Sequence, residues 1–343
     1  MKTKKISQKK YYLAVCACAV VALGILYYYF FTPMTVSGET EYVYIDTDDN
    51  IDSVYVKLSF VAKPHTMTAF RTLARHSAYA ENIRTGRYEI SESNGAVSVF
   101  RKMKNGMQAP VSLTIPSVRT VDKLAEAVSS KLMFSDKELL GLLNDTSICK
   151  KYGYTPETIM CMFIPNTYDV YWNITAEKFL DKMNKESKRF WTFERKNKAK
   201  AMELTPNEVI TLASIVDEET ANDNEKPMIA GMYYNRLKTD MPLQADPTIK
   251  FALKQFELKR IYHNMLSTNS PYNTYKNTGL PPGPIRIPTV KGIDAVLNYV
   301  HHDYLYMCAK EDFSGTHNFA TTYEEHKKNA AKYSKALNDR GIN

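Results

Sequence analysis

Three consecutive carboxylates, Asp217, Glu218 and Glu219, close the otherwise apolar stretch LASIVDEET (residues 212–220). An acid that keeps its proton near neutrality can protonate a leaving oxygen, and burial among apolar groups is the commonest way to raise its pKa. Which of the three faces inward can be asked of helix geometry. The segment has a clear start, with Thr205 as N-cap, Pro206 at the first helical position and Glu208 closing a capping box. At about 100° per residue from Leu212, Val209, Ile215 and Val216 form one apolar stripe. Glu219 falls about 20° from Leu212, inside that stripe, whereas Asp217 and Glu218 point away from it. Glu219 is therefore the candidate general acid. The alternative is a structural ion pair, with Arg236 of the next helix as its partner.

The elements that must position this acid belong to a chain of 343 residues, long enough for two domains. The formal charge of +8 is concentrated at the start: MKTKKISQKK holds five lysines and no acid, so the remainder carries only +3. With no basic face or recognition motif, nothing points to nucleic acid. Twenty-four tyrosines suit either a carbohydrate-facing surface or ordinary core and sheet positions. Residues 11–31, YYLAVCACAVVALGILYYYFF, carry no charge and are long enough to span a bilayer as a helix. Tyrosines flank the segment, lysines precede it and acids follow it, which predicts a single-pass anchor with residues 1–10 cytoplasmic and the rest outside. A cleaved signal peptide would need a small-x-small site near Phe31, and a lipoprotein signal at Cys16 would need more apolar chain before it; neither is present. Cys149, Cys161 and Cys308 would then be exported; a Cys149–Cys161 bridge and buried free thiols both remain open. No cysteine or histidine spacing suggests a metal site.

Beyond the span, EYVYI and VYVKL alternate like strands, a helix is expected around Met67–Ala80, and Gly86 interrupts two further alternating runs. GAVSVFRKMKNG is a strand or short helix ending at Gly106. Together these predict a small α+β module over 38–106. A second domain, 109–343, begins with the strand APVSLTIP and a helix capped by Thr120, then a helix in SDKELLGLLN, a loop or strand in IPNTYDVYWN and one long polar helix over AEKFLDKMNKESKRFWTFERKNKAKAMEL. Two helices, a loop MPLQADPT, a turn-rich stretch, a helix, two strands and a last helix from Tyr323 complete it. The fold class is α+β throughout.

LASIVDEET, GMYYNRL, MPLQADPTIKFAL, YNTYKNTGLPPGPI, DYLYMCAK and HNFATTYEEHKK occur in the order found in the YceG-like endolytic murein transglycosylases, the MltG family, which the chain resembles most strongly over 204–335. RTGRYEI and PVSLTIPSVRTVDKLAEAV resemble the family's small LysM-like module and the start of its catalytic domain. The family's helix usually reads Glu-Lys-Glu with the second glutamate catalytic, and the match is Glu219; Asp217 and Glu218 depart from the pattern at the other two positions. The resemblance implies cleavage of the β-1,4 bond between N-acetylmuramic acid and N-acetylglucosamine, with one carboxyl protonating the leaving oxygen and then deprotonating the muramic 6-hydroxyl to give a 1,6-anhydro end. It implies no metal and no cofactor, glycan strands of peptidoglycan as substrate, and peptidoglycan synthases as partners in limiting strand length.

Other candidates follow from position. Asn235 and Arg236, on the helix after the acid, could bind sugar or position Glu219, or be structural. Gln244 and Asp246 lie on a loop, where binding residues collect. Tyr272, Asn273 and Tyr275 precede the Gly-Pro-rich wall GLPPGPI and could contact the glycan or merely pack the loop. His317 is a polar group expected near the site, and Tyr168 matches a family loop position. Two other classes stand beside this reading: a muramidase-type hydrolase with Asp246 activating water, and a non-catalytic wall-binding scaffold.

Overall fold

The computed structural model describes residues 8–258 and 260–340. The chain divides into two compact units. The first runs to Ser112 and regains Lys131–Met133 and Asp169–Ile174; the second comprises Leu113–Ser130, Phe134–Tyr168 and the chain from Thr175. The continuous segment expected from 109 onward is thus interrupted by two short returns to the first unit.

The first unit begins with α1 (Gln8–Phe30), the one helix among the described residues long and apolar enough to cross a membrane. Then follow β1 (Glu41–Ile45), α2 (Ile51–Ser59), α3 (Pro64–Arg75), β2 (Gly86–Ile90) and α4 (Ala96–Asn105). β1 and β2 are antiparallel, with Glu41 opposite Ile90 and Ile45 opposite Gly86. Their inner face, Val43, Ile45, Tyr88 and Ile90, packs with Val54, Leu58, Phe70 and Met103 from the helices. VYVKL is helix rather than strand, despite its alternation. Asn50 caps α2 by accepting from the amides of Asp52 and Ser53, and Val54 and Leu58, four apart, are buried while Val56 is exposed.

In the rest of the chain come β3 (Val111–Thr114), α5 (Val121–Ser129), α6 (Asp136–Asn144), α7 (Thr146–Tyr152), β4 (Thr167–Val170), α8 (Ala176–Phe190) and α9 (Phe193–Ala201). The long polar helix expected over this last stretch is two helices. Trp191 turns into the core, and the Thr192 side chain caps α9 by accepting from the Arg195 amide. Cys149 and Cys161 are buried free thiols, and no bridge joins them. The sequence then forms α10 (Pro206–Glu219), α11 (Lys226–Lys238), α12 (Asp246–Leu253), α13 (Val290–Leu297), the antiparallel hairpin β5 (Tyr306–Ala309) and β6 (His317–Ala320), and α14 (Tyr323–Asp339). α12 occupies what looked like loop in MPLQADPT, with Pro247 in its first turn.

α10 is the axis of the second unit. It starts as its capping box dictates, with Thr205 Oγ accepting from the Glu208 amide and Glu208 accepting from the Thr205 amide. Its residues 209–216 are all buried, because α9, α11, α12 and α13 pack around it. Such enclosure fixes the C-terminal turn of α10, where the three acids sit.

Candidate active site

Helical phase alone misjudges two of the three acids. The Asp217 side chain is buried: it accepts from the Thr289 amide at 2.6 Å and pairs with the buried Lys226 ammonium at 2.9 Å. Gly292 leaves room for this, since a Cβ there would lie 2.4 Å from Asp217 Oδ1. Glu218 is gripped by Arg119, Nε at 2.8 Å and Nη2 at 2.9 Å, and by Arg286 Nη1 at 3.0 Å. The expectation that only one acid of the three faces inward fails because α10 is surrounded by α9, α11, α12 and α13, so the other faces of its last turn also meet protein.

Glu219 has a different partner. The phenol of Tyr233, on α11, donates to its Oε1 at 2.5 Å. Arg236, the alternative ion-pair partner, sends its guanidinium elsewhere: to the carbonyls of Leu305 at 2.6 Å, Leu243 at 2.7 Å and Pro242 at 3.2 Å. Removal from water is the main influence on the Glu219 carboxyl and raises its pKa from 4.5 to about 7. The Tyr233 hydrogen bond pulls the other way, and the charge of Asp246 adds to the rise. The residue is nevertheless only partly buried and lines a cleft.

That cleft has a volume of about 290 Å³ and polar walls. It brings together Glu219, Arg236, Gln244, Asp246, Tyr275 and His317 of the candidates, with Tyr233 and β5 residues Met307–Ala309 added. Asp246 opens α12 and accepts the Tyr275 hydroxyl at 2.5 Å. Burial, first, and then this carboxylate raise the Tyr275 pKa, so the phenol stays protonated as a donor. Gln244 holds a left-handed backbone, φ 51°, with its backbone N–H donating to the Thr274 carbonyl at 3.0 Å. A side-chain-bearing residue is held there at a cost of about 1–3 kcal/mol, a form of strain that clusters at functional sites. Arg236 is buried, which lowers its pKa, and among the described residues no carboxylate lies within ion-pair distance of it.

Four candidates do not line the cleft. Asn235 turns away and donates to the carbonyls of His302 at 2.6 Å and Tyr304 at 3.1 Å, tying α11 to the segment that leads into β5. Asn273 is fully buried and organises its own loop, donating to the Leu266 and Thr268 carbonyls and accepting from the Tyr275 amide. Tyr272 packs on Phe251 with ring centroids 4.7 Å apart and does not line the cleft. Tyr168 is buried, its hydroxyl spent on the Ile164 carbonyl. Tyr233 is the residue that position-based reasoning passed over. It stands in GMYYNRL, fourteen residues after Glu219 and about two turns into α11, and the double tyrosine was the available signal.

The chain matches the YceG-like family over residues 43–332. It belongs to that family. An endolytic murein transglycosylase of Bacillus subtilis (strain 168) is 28% identical over 276 residues, covering 76% of this chain and 76% of the relative. One of Streptococcus pneumoniae (strain D39) is 28% identical over 299 residues, covering 77% of this chain; the match spans only 53% of that longer protein. The crystal structure of a yceG-like protein from Listeria monocytogenes superposes with a TM-score of 0.54 at 29% identity, covering 84% of this chain and 98% of that one. The YceG-like motifs thus converge on one cleft: LASIVDEET supplies its acid, GMYYNRL the phenol and guanidinium, MPLQADPT the α12 edge, and DYLYMCAK with HNFATTY the hairpin wall.

Proposed function

We propose that the chain is an endolytic lytic transglycosylase of peptidoglycan, cutting the β-1,4 bond between N-acetylmuramic acid and N-acetylglucosamine and leaving a 1,6-anhydromuramic end. The observation that carries this reading is Glu219, a carboxyl raised to about 7 inside a polar cleft, next to a phenol and a guanidinium that leave it free to titrate. Such an acid is protonated often enough to give and ionised easily enough to take back. In the first step Glu219 protonates the leaving glycosidic oxygen as its bond to C1 breaks, and the substrate's acetamido oxygen steadies C1. In the second the Glu219 carboxylate removes the proton of the muramic 6-hydroxyl as that oxygen bonds to C1. Glu219 ends protonated, as it began, and no water is consumed. Arg236, Gln244, Asp246, Tyr275 and His317 supply the surrounding donors and acceptors.

The names of the relatives support peptidoglycan as the substrate. The uncharged α1, with lysines before it and acids after it, supports a single-pass anchor with the N-terminus cytoplasmic and the catalytic unit outside. The order β1–α2–α3–β2 supports a LysM-like module within 38–106, holding glycan or spacing the catalytic domain (109–343) from the bilayer. A cleft held near the membrane suits nascent strands emerging from peptidoglycan synthases, whose length it would limit.

Asp246, in the same cleft, favours a second reading: hydrolysis, with Asp246 activating water. Mass analysis of fragments released from purified sacculi by the detergent-solubilised full chain separates the two. Anhydro ends, lighter than reducing ends by one water, are expected, and release should vanish in Glu219→Gln. Reducing ends would establish the hydrolase, and undiminished release by Glu219→Gln would remove Glu219 from either scheme. A wild-type chain that binds sacculi without cutting them would be a scaffold.

A further inference from the structure

Glu225, which no motif singled out, stands immediately before α11 and six residues beyond Glu219. It is buried, with 8% of its surface exposed, yet neither lysine nor arginine pairs with it among the described residues. Its Oε1 accepts the backbone N–H of His317 at 2.6 Å, and its Oε2 lies 2.9 Å from the Nδ1 of the same residue. The Thr220 hydroxyl, from the cap of α10, donates to Oε2 at 3.5 Å. One carboxylate therefore grips both the main chain and the ring of the first residue of β6, across ninety-two residues of sequence.

A carboxylate only accepts, so the ring proton between these two groups must sit on Nδ1. His317 lines the same cleft as Glu219. Its Nε2 has no hydrogen-bond partner among the described residues, and it is not among the sealed polar atoms. A merely structural clamp at this point would be as well served by a lysine. An imidazole offers what lysine cannot, a second nitrogen whose character is decided by what the first one does.

We propose that Glu225 is a positioning residue: it holds His317 as the Nδ1–H tautomer, so that Nε2 meets the glycan as an acceptor for a sugar hydroxyl. This rests on the reading of the cleft as a glycan site. Without Glu225 the ring could rotate or carry its proton on Nε2, and the cleft would present a donor where the sugar brings its own.

The tautomer can be read directly by 15N NMR of histidine-labelled full chain in detergent, with no turnover needed. Wild type should show a protonated Nδ1 and a pyridine-like Nε2. In Glu225→Gln the amide oxygen keeps the His317 backbone N–H, its NH₂ faces Nδ1, and the proton should move to Nε2. A wild-type Nε2–H signal, or an unchanged tautomer in Glu225→Gln, overturns the proposal whatever the enzyme does. Kinetics on uncross-linked glycan strands give the second arm. Glu225→Gln and His317→Asn should each raise KM about tenfold with kcat little changed, and the double variant should be no worse than His317→Asn alone. Losses that multiply in the double variant would make Glu225 independent of His317 and overturn it. His317→Gln, whose longer amide reaches the cleft, should recover part of the KM that His317→Asn loses; equal KM values for the two overturn the proposed role of Nε2. Failure of the glycan reading shows instead as absent cleavage by wild type with the tautomer as stated.

Discussion

The last turn of α10 places two kinds of carboxylate environment side by side. At Asp217 and Glu218 each charge meets cations supplied by Lys226, Arg119 and Arg286. At Glu219, one residue further, the partner is a phenol and the nearby guanidinium is committed to main-chain carbonyls. Both regions are enclosed, so burial alone does not distinguish them. The distinction lies in whether the protein matches the charge. A matched carboxylate serves the fold through its ion pairs, whereas an unmatched one has its pKa driven up by burial.

The largest expected effect tests the unmatched side. Glu219→Gln should reduce release of glycan fragments by at least about 10³-fold, the range for loss of a general acid–base group, with the fold intact by circular dichroism. Activity within tenfold of wild type would place the chemistry elsewhere. On the matched side, Asp217→Ala strips the buried Lys226 of one partner and leaves it only the half-exposed Asp223, and should cost about 3 kcal/mol in urea unfolding. Loss of less than about 1 kcal/mol would mean that the pair contributes little to the fold. Gly292→Ala pushes a methyl into Asp217 Oδ1 and should cost about 2 kcal/mol by thermal unfolding.

Glu219 should also betray itself in stability. Its folded pKa lies above its unfolded one, so between about 4.5 and 7 the unfolded chain gives up this proton first and wild type loses stability as pH rises. Glu219→Gln lacks that penalty. It should be matched with wild type near pH 4 and more stable by about 3 kcal/mol at pH 8, as measured by urea midpoints across pH. Equal stability at both pH values would argue that the carboxyl is well solvated. A smaller effect concerns position rather than size: Tyr233→Phe removes the donor that favours the charged form, so the alkaline limb of the rate profile, expected near 7, should move upward. Asp246→Asn removes a like charge and should move it downward.

Much of this site could be anticipated and some could not, for definable reasons. Glu219 was reachable because the Thr205–Glu208 capping box fixes where the helix begins and therefore its phase. Asp217 and Glu218 were not, because their partners lie on segments as remote as Arg119, and a helix buried on all sides has no polar face to reveal. Asn235 and Asn273 look like ligand-binding amides in the sequence, but their NH₂ groups satisfy carbonyls that would otherwise be orphaned inside the protein. VYVKL carries strand-like alternation, and the Asn50 cap with the Val54–Leu58 spacing overrides it. Glu219, the proposed proton donor, stands out in sequence, while its hydrogen-bond partner, Tyr233, is one of twenty-four tyrosines and is identified only by where its hydroxyl ends.

Arg236 anchors the cleft through the oxygens of Leu305, Leu243 and Pro242. Main-chain oxygens are present whatever side chain stands at a position. Positions 242, 243 and 305 can therefore exchange residues of similar shape without unfastening the guanidinium, and evolutionary drift in the cleft's rim need not disturb the acid behind it. Position 236 has no such latitude: a lysine there offers no planar fork to span three carbonyls.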